Sequence, residues 1–145
     1  MNDVDILLAE DSEDDAAFFL QALTDANPQA RLVTARDGAE ALSLIFGNGD
    51  GQCTPPIFRP KLILLDLKLP KVSGLELLRI IKSNPNARTI PAVVLSSSRE
   101  KGDLAECYRL GANSYLVKPM EFDEFACLVK LLTRYWLEFN QSAKL

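Results

Sequence analysis

Residues 61–70 read Lys61-Leu62-Ile63-Leu64-Leu65-Asp66-Leu67-Lys68-Leu69-Pro70, an apolar run that ends in a carboxylate. Leu62–Leu65 is apolar at every position, whereas a strand with one face in water alternates apolar and polar residues. The run therefore predicts a strand buried on both faces, as in a parallel sheet covered by helices. The next segment has a helical period, Gly74–Ser83, and is expected to end before Pro85, which lacks a backbone N–H.

The same alternation of a short apolar run and a longer amphipathic stretch occurs five times along the chain. The predicted strands are Ile6–Ala9, Arg31–Ala35, Leu62–Leu65, Ala92–Leu95 and Ser114–Val117; the predicted helices are Asp14–Asn27, Ala39–Phe46, Gly74–Ser83, Asp103–Leu110 and Glu121 to about Gln141. Ser12, Asp37 and Ser73 are expected to cap three of these helices, because each precedes an acidic residue by three positions. We predict one α/β domain over residues 1–145, a flavodoxin-like, doubly wound parallel sheet in the order 2-1-3-4-5 with helices on both faces.

Composition limits the classes of function. The 145 residues are 48% hydrophobic and 25% charged, which suits a single globular core. The net charge is −4 with scattered basic residues, so we expect no nucleic-acid partner and no anionic-lipid surface. The longest apolar runs have five residues, whereas a membrane span needs about 20, and the first residues are acidic where a signal peptide is basic. A cytoplasmic protein is the expectation.

Histidine is absent, which excludes Ser-His and Cys-His nucleophile pairs, His-ligated zinc and a role as phosphohistidine donor. Any acid-base chemistry falls to carboxylates and lysine. The cysteines Cys53, Cys107 and Cys127 show no C-x-x-C spacing, so we expect incidental reduced thiols. The long connection from Gly47 to Pro60 carries alternating glycines, but it follows a helix, so a helix C-cap and turn is favoured over a phosphate loop.

Three carboxylates follow two strands that are neighbours in the predicted order. Glu10 and Asp11 come after strand 1 and Asp66 after strand 3, at the switch point where such sheets bind ligands. Two charges about 4 Å apart repel by about 4 kcal/mol at an effective dielectric near 20, so the cluster needs a cation or a protonated member. An oxygen-only site with open positions suits Mg²⁺. The alternative is that Glu10 and Asp11 only cap the first helix.

Polar side chains also follow the last two strands. Ser96 ends strand 4 and Lys118 follows strand 5, so a hydroxyl and a cation are expected at the same sheet edge. Metal ligands, a nucleophilic carboxylate, a hydroxyl and an ammonium together are suited to phosphoryl transfer.

These residues resemble the receiver domain of two-component response regulators over roughly residues 4–130. The resemblance lies in Glu10-Asp11, in Asp66 to Pro70 with Ser73-Gly74, in Pro91 to Ser97, and in Gly111-Ala112 through Tyr115 to Lys118-Pro119. It implies that Asp66 is the phosphoacceptor and that Glu10, Asp11, Asp66 and the Lys68 backbone carbonyl hold Mg²⁺, with Mn²⁺ as the alternative ion. Lys118 would pair with the phosphoryl group, Ser96 and Tyr115 would act as the switch, and the Lys118–Pro119 bond would be cis. Such a domain is a phosphoacceptor for a histidine kinase and is not classed as an enzyme.

Two positions depart from the usual family pattern. Glu10 stands where aspartate is common, and Ser96 replaces the frequent threonine while keeping its hydroxyl. Lys68, two residues after the acceptor, is expected to flank the phosphoryl group and to alter how fast phosphate is lost.

The C-terminal helix predicts a contact with another protein. Leu128, Tyr135 and Phe139 widen the apolar arc that includes Trp136 to about 200°, more than one sheet contact usually requires, so these four residues are predicted to form a homodimer interface. The alternative is that they pack under the protein's own loops. Output is expected through protein contact, since the receiver pattern leaves no room for an output domain. The proline-containing loop and the aromatic C-terminus are similar to stand-alone regulators of bacterial phytochrome kinases.

Three other functions were weighed. An aspartyl-phosphate hydrolase typically has a second aspartate two residues after the nucleophile, where this chain has Lys68. A flavin-binding electron carrier would place a hydroxyl-rich phosphate loop after strand 1, where Glu10-Asp11 would repel the phosphate. A receiver-like adaptor that is never phosphorylated is disfavoured because every reactive group is present.

Overall fold

The computed structural model describes residues 4–47, 55–57 and 59–143 and contains the expected parallel sheet. The strands are β1 (Ile6–Ala9), β2 (Leu32–Ala35), β3 (Leu62–Leu65), β4 (Ala92–Ser96) and β5 (Ser114–Val117); the helices are α1 (Glu13–Ala26), α2 (Gly38–Phe46), α3 (Gly74–Ser83), α4 (Lys101–Arg109) and α5 (Phe122–Thr133). All pairings are parallel and the strand order is β2-β1-β3-β4-β5, so the predicted fold class is confirmed.

Two hydrophobic layers lie on opposite faces of the sheet, as the apolar run of β3 predicts. Ile63 and Leu65 belong to the layer that includes buried residues of α2, α3 and α4, whereas Leu62 and Leu64 belong to the layer under α1 and α5. All four β3 side chains are fully buried. Since successive strand side chains point to opposite faces, β3 is anchored on both sides, and its carboxyl end is held firmly.

The predicted N-caps are confirmed. The Ser12 hydroxyl accepts a hydrogen bond from the backbone N–H of Asp15 at 3.2 Å, and the Asp37 carboxylate accepts one from that of Glu40 at 2.7 Å. The Ser73 hydroxyl does the same for Glu76 at 3.2 Å. These bonds fix the starts of the three helices that follow β1, β2 and β3, because each satisfies an N–H group that has no partner within the helix.

The last helix differs from the expected single helix that reaches Gln141. After α5 ends at Thr133 the chain continues as a π-helix over Arg134–Phe139. The Thr133 hydroxyl donates back to the Val129 carbonyl at 2.7 Å, a bond that tends to bend helices, and the Asn140 N–H donates to the Tyr135 carbonyl at 2.7 Å. Because a π-helix has more residues per turn than an α-helix, the aromatic side chains of this segment point in directions that differ from those of a continuous α-helix.

The described residues also test the expectations for the Lys118–Pro119 bond, the end of α2, the cysteines and a membrane span. The Lys118–Pro119 bond is trans, since no cis peptide occurs among the described residues, so the cis assignment was wrong; trans is the form that X–Pro bonds favour by about 0.5–1 kcal/mol. Gly47 ends α2 with a positive φ of 65°, as a C-cap glycine would, while residues 48–54, with Cys53, lie outside the described residues. Cys107 is buried and Cys127 exposed, and neither forms a disulfide. No described helix is long and apolar enough to cross a membrane.

Candidate phosphoryl-transfer site

The strand order brings the predicted carboxylates to one edge of the sheet. Ala9 of β1 is in register with Leu65 of β3, so Glu10 and Asp66 follow at the same level. Ser96 of β4 is in register with Val117 of β5, which places Lys118 one residue beyond it. The Asp66 N–H donates to the Ala9 carbonyl at 3.1 Å, so the ladder holds the backbone of the acceptor candidate itself.

Glu10, Asp11 and Asp66 form a cluster of carboxylates that could hold a metal ion. One oxygen of each lies within 4.8 Å of the others. Glu10 is almost fully buried at 5% exposure and the Asp66 side chain is 13% exposed, whereas Asp11 is open to solvent. Burial raises the pKa of Glu10 even though hydrogen bonds from Lys118 and from the Ser12 N–H oppose that shift. A set of oxygen donors with one open side fits a hard divalent cation.

Lys118 lies at the centre of these carboxylates with its side chain 12% exposed. Its Nζ donates to Glu10 Oε1 at 2.6 Å, to Asp15 Oδ2 at 2.9 Å and to Asp66 Oδ2 at 3.1 Å. Burial disfavours the ammonium, but the hydrogen bonds to Glu10 and Asp15 outweigh it and raise the pKa of Lys118 above its usual value. The ammonium therefore stays charged and is available to neutralise anionic oxygens at Asp66.

Asp15 is the site residue that the sequence reasoning missed. The sequence places its N–H group in the cap of α1 and predicts no role for its side chain. The first turn of α1 faces the ends of the strands, so Asp15 reaches a lysine 103 positions further along the chain. Its position in the first turn of the helix that follows Glu10 and Asp11 is the one signal in the sequence that could have suggested it.

Ser96 and Tyr115 lie beside the site but are joined to the β4–α4 loop, and no hydrogen bond joins either to the carboxylates in the described residues. The Ser96 hydroxyl, 1% exposed as a residue, accepts from the Ser98 N–H at 3.2 Å. The Tyr115 ring is buried and its hydroxyl donates to the Ser98 carbonyl at 2.9 Å. Both residues thus form a hydrogen bond with one residue, Ser98, in the loop between β4 and α4.

The β3–α3 loop is packed tightly behind Asp66. A Cβ atom at Gly74 would lie 2.0 Å from the Asp66 carbonyl oxygen, and one at Gly38 would lie 1.9 Å from the Val72 carbonyl oxygen. The Lys68 N–H lies 3.4 Å from Asp66 Oδ1, and the Lys68 side chain is exposed beside the acceptor candidate. The assignment of the Lys68 carbonyl to a metal ion stays a prediction.

The four residues predicted for the homodimer interface divide into two pairs. Tyr135 and Phe139 are 53% and 63% exposed, as the prediction requires. Leu128 and Trp136 are half-buried and pack against the layer under α1 and α5. Leu131, 63% exposed on the same helix, was not singled out.

Comparison with known proteins agrees with this geometry. A model of the family described as the response regulator receiver domain matches residues 6–130. The response regulator Rcp1 of Synechocystis sp. is 38% identical over 133 residues, which cover 92% of this chain and 88% of Rcp1. The crystal structure of the phosphorylated cyanobacterial phytochrome response regulator RcpA has a TM-score of 0.86 at 35% identity, with coverage of 97% and 99%. The Mn²⁺-bound form of Rcp1 has a TM-score of 0.84 at 36% identity, with coverage of 96% and 98%.

Proposed function

This chain belongs to the response regulator receiver family, and we propose that within it Asp66 is the residue that accepts the phosphoryl group. The observation that carries this proposal is the position of Asp66. Its carboxylate contacts the Lys118 ammonium at 3.1 Å on one side and lies in the cluster with Glu10 and Asp11 on the other. Asp66 follows a strand with both faces buried in the core, and its backbone N–H donates to the Ala9 carbonyl, so its position is fixed.

The chemistry that these residues support is transfer of a phosphoryl group to a carboxylate. An Asp66 oxygen forms a bond to phosphorus while the bond between phosphorus and a donor nitrogen breaks, and the electron pair of that bond stays with the donor. Lys118 neutralises charge on the phosphoryl oxygens, so the chain supplies position and charge and needs no general base. The product is an acyl phosphate on Asp66.

We propose Mg²⁺ as the metal ion, with Glu10, Asp11, Asp66 and the Lys68 carbonyl as its ligands. The cluster consists of oxygen donors, and a similar protein, Rcp1, has been crystallised in a Mn²⁺-bound form. A bound divalent ion would neutralise the carboxylates and the incoming phosphoryl oxygens together.

We propose that Ser96 and Tyr115 report the phosphorylated state. Ser96 is buried at the end of β4, one strand away from Asp66, and its hydroxyl is a suitable donor to a phosphoryl oxygen. A move of that hydroxyl toward the phosphoryl group would break its bond with the Ser98 N–H. The Tyr115 hydroxyl is bound to the Ser98 carbonyl, so the same displacement would act on the Tyr115 ring.

The proposed donor is a sensor histidine kinase of the phytochrome type. The chain has no histidine of its own, so a phosphohistidine must come from another protein. Two similar proteins, Rcp1 and RcpA, are named as response regulators. RcpA is named more specifically as a phytochrome response regulator. We propose that the chain interacts with such a kinase in the cytoplasm.

We further propose that the chain forms a homodimer through Leu128, Tyr135, Trp136 and Phe139. Exposed Tyr135 and Phe139 lie at the end of the last helix, and the Tyr135 and Trp136 rings make an edge contact with centroids 4.9 Å apart. A two-fold axis beside this helix would let the same aromatic face cover its copy. Signalling would then proceed by protein contact.

The test of the phosphoacceptor is labelling with acetyl phosphate and Mg²⁺, followed by intact mass. Wild type should gain one phosphoryl group, and Asp66→Asn should gain none, since an amide cannot form the acyl phosphate. Excess chelator should also prevent labelling of the wild type. Asp14→Asn is the matched control, because Asp14 is exposed and makes no ion pair or side-chain hydrogen bond within the described residues.

Labelling of Asp66→Asn at the wild-type level would refute the assignment of Asp66. A wild type that takes no label from acetyl phosphate or from any phosphorylated kinase would instead favour the adaptor that is never phosphorylated.

A further inference from the structure

Lys118 uses its three N–H donors on three carboxylates, but these carboxylates do not form one group. Glu10 and Asp66 belong to the cluster that could hold a metal ion, whereas Asp15 does not. Asp15 comes from α1, and its side chain approaches Lys118 with 42% of its surface exposed. The ammonium is therefore shared between the metal cluster and one acid outside it.

The backbone of Asp15 is held in place by its own helix cap. The Asp15 N–H donates to the Ser12 hydroxyl at 3.2 Å, and the Ser12 N–H donates to Glu10 Oε2 at 3.1 Å. Asp15, Ser12 and Glu10 are thus linked by hydrogen bonds before Lys118 joins them. The carboxylate that contacts Lys118 at 2.9 Å starts from a fixed position on α1.

A divalent ion in the cluster would change the surroundings of Lys118. Carboxylate oxygens of Glu10 and Asp66 that bind the ion have less charge to offer an ammonium, and the ion itself repels the ammonium. Asp15 is the one carboxylate contact of Lys118 that lies outside the cluster, among the residues that the structure describes. Without it, the ammonium would have no fixed anionic partner beside the loaded cluster.

We propose that Asp15 is a positioning residue for phosphoryl transfer: it holds the Lys118 ammonium beside Asp66 when a divalent ion occupies Glu10, Asp11 and Asp66. This inference rests on the proposed function, because it requires Asp66 to be phosphorylated. Asp15 touches neither the ion nor the phosphoryl group and acts only through Lys118. A group fixed at the reacting centre lowers the barrier because its orientation is settled before the reaction begins.

The alternative is that Asp15 only ties α1 to the end of β5. In that case its loss would lower the melting temperature, while folded protein would still react at the wild-type rate. The two roles differ in the rate measured well below the melting temperature and at saturating Mg²⁺.

The experiment compares Asp15→Asn with Asp14→Asn and Asp15→Glu in the full chain. Asp14→Asn makes the same charge change at the neighbouring exposed position, so it measures the effect of overall charge alone. The initial rate of labelling by acetyl phosphate is measured at 15 °C over a range of Mg²⁺ concentrations. At saturating Mg²⁺ we expect Asp15→Asn to react about tenfold more slowly, which corresponds to about 1.4 kcal/mol. Asp14→Asn should stay within about twofold of wild type, and Asp15→Glu should recover at least a third of the rate.

A second readout does not depend on reactivity. With lysine labelled with ¹⁵N, an ammonium held by a fixed carboxylate and shielded from solvent exchanges slowly enough with water to give a side-chain signal. We expect the Lys118 signal in Mg²⁺-saturated wild type and in Asp14→Asn, and its loss in Asp15→Asn. Lys118→Met identifies the signal.

The outcomes separate the two hypotheses. If wild type is labelled but Asp15→Asn reacts within twofold of Asp14→Asn, or keeps the Lys118 signal, the inference is overturned and the proposed function stands. A slow Asp15→Glu would also overturn it, since the added methylene still permits the contact. If wild type takes no label, the proposed function fails and the inference fails with it.

Discussion

The substitution Gly74→Ala should displace the acceptor residue from behind. Gly74 begins α3, and a Cβ atom there would lie 2.0 Å from the Asp66 carbonyl oxygen, 2.6 Å from Leu67 Cα and 2.8 Å from the Asp66 carbonyl carbon. All three atoms belong to the backbone, so no side chain can rotate away. Restoring the 3.0 Å that such contacts require means moving α3 and the end of β3 apart by about 1 Å.

The magnitude follows from overpacking and from misplacement of Asp66. Forcing a methyl group into a closely packed site costs about 1–3 kcal/mol, and the clash with backbone places Gly74→Ala at the upper end, about 3 kcal/mol. A domain of this size has about 5–15 kcal/mol of stability, so the variant should still fold. A misplacement of about 1 Å at a reacting group can cost about a hundredfold, and we expect labelling by acetyl phosphate to slow by at least about tenfold.

The assay is urea unfolding followed by the fluorescence of Trp136, the chain's single tryptophan, with labelling rates on the same samples. Gly102→Ala is the matched control, because a Cβ at Gly102 meets nothing within 4 Å and lies in exposed α4. Alanine should leave that variant as stable as wild type or more stable by up to about 1 kcal/mol. The reasoning from close packing is refuted if the free energy of unfolding of Gly74→Ala is within about 0.5 kcal/mol of the wild-type value and the variant is labelled at the wild-type rate.

Three further predictions concern other parts of the molecule. Lys68→Ala should shorten the phosphorylated lifetime, measured as loss of label after the phosphodonor is removed, because the exposed Lys68 side chain shields the phosphoryl group from water. Phe139→Asp should convert the proposed homodimer to a monomer in sedimentation while labelling continues; a wild type that is monomeric with and without phosphate would favour the alternative, in which these aromatics pack under the protein's own loops. Burial lowers the pKa of Lys82 from 10.5 to about 8. The unfolded chain therefore binds more protons at Lys82 between these values, and the free energy of unfolding should rise with pH from about 8 to about 10 relative to Lys82→Met, as urea titrations can show.

The sheet was predictable because a strand buried on both faces is apolar at every consecutive position. Every residue of Leu62–Leu65 is apolar, and the structure buries each of them. The start of α4 was less visible: it begins at Lys101, two residues before the predicted Asp103, and Glu100 at its N-cap position makes no side-chain cap bond. A helix without a capping signal leaves its first turn to contacts that the local sequence does not show.

The end of the chain shows a different limit. A helical period of apolar residues predicts a continuous helix to about Gln141, but the last turns wind as a π-helix over Arg134–Phe139. The two windings use the same residues and differ in which carbonyl each N–H group reaches, a choice made by packing. Half-buried Trp136 therefore packs part of its side chain against the layer under α1 and α5, a contact that the period alone does not show.

The site residues that follow strands could be predicted from the sequence, whereas the site residue on a helix could not. Glu10, Asp11, Asp66, Ser96 and Lys118 could be placed together because each follows a strand, and the order of parallel strands fixes which ends are neighbours. Asp15 lies on a helix, and the direction of its side chain depends on how α1 packs on the sheet. The order of the strands therefore does not predict its place in the site.

The charge of the site gives the proposed metal dependence a cause in the chain itself. Glu10, Asp15 and Asp66 contact Lys118, and one oxygen of Asp11 lies within 4.8 Å of oxygens of Glu10 and Asp66, so four acids lie close to one cation. A phosphoryl group adds further negative charge, and each close pair of like charges costs about 4 kcal/mol at an effective dielectric near 20. One ammonium that already donates to three carboxylates cannot offset that addition. Asp66 would therefore be a poor target for an anion while no divalent ion is bound. It would become a better one with such an ion on Glu10, Asp11 and Asp66, because the positive charge would offset the repulsion while Lys118, held by Asp15 as we propose, would face the incoming oxygens.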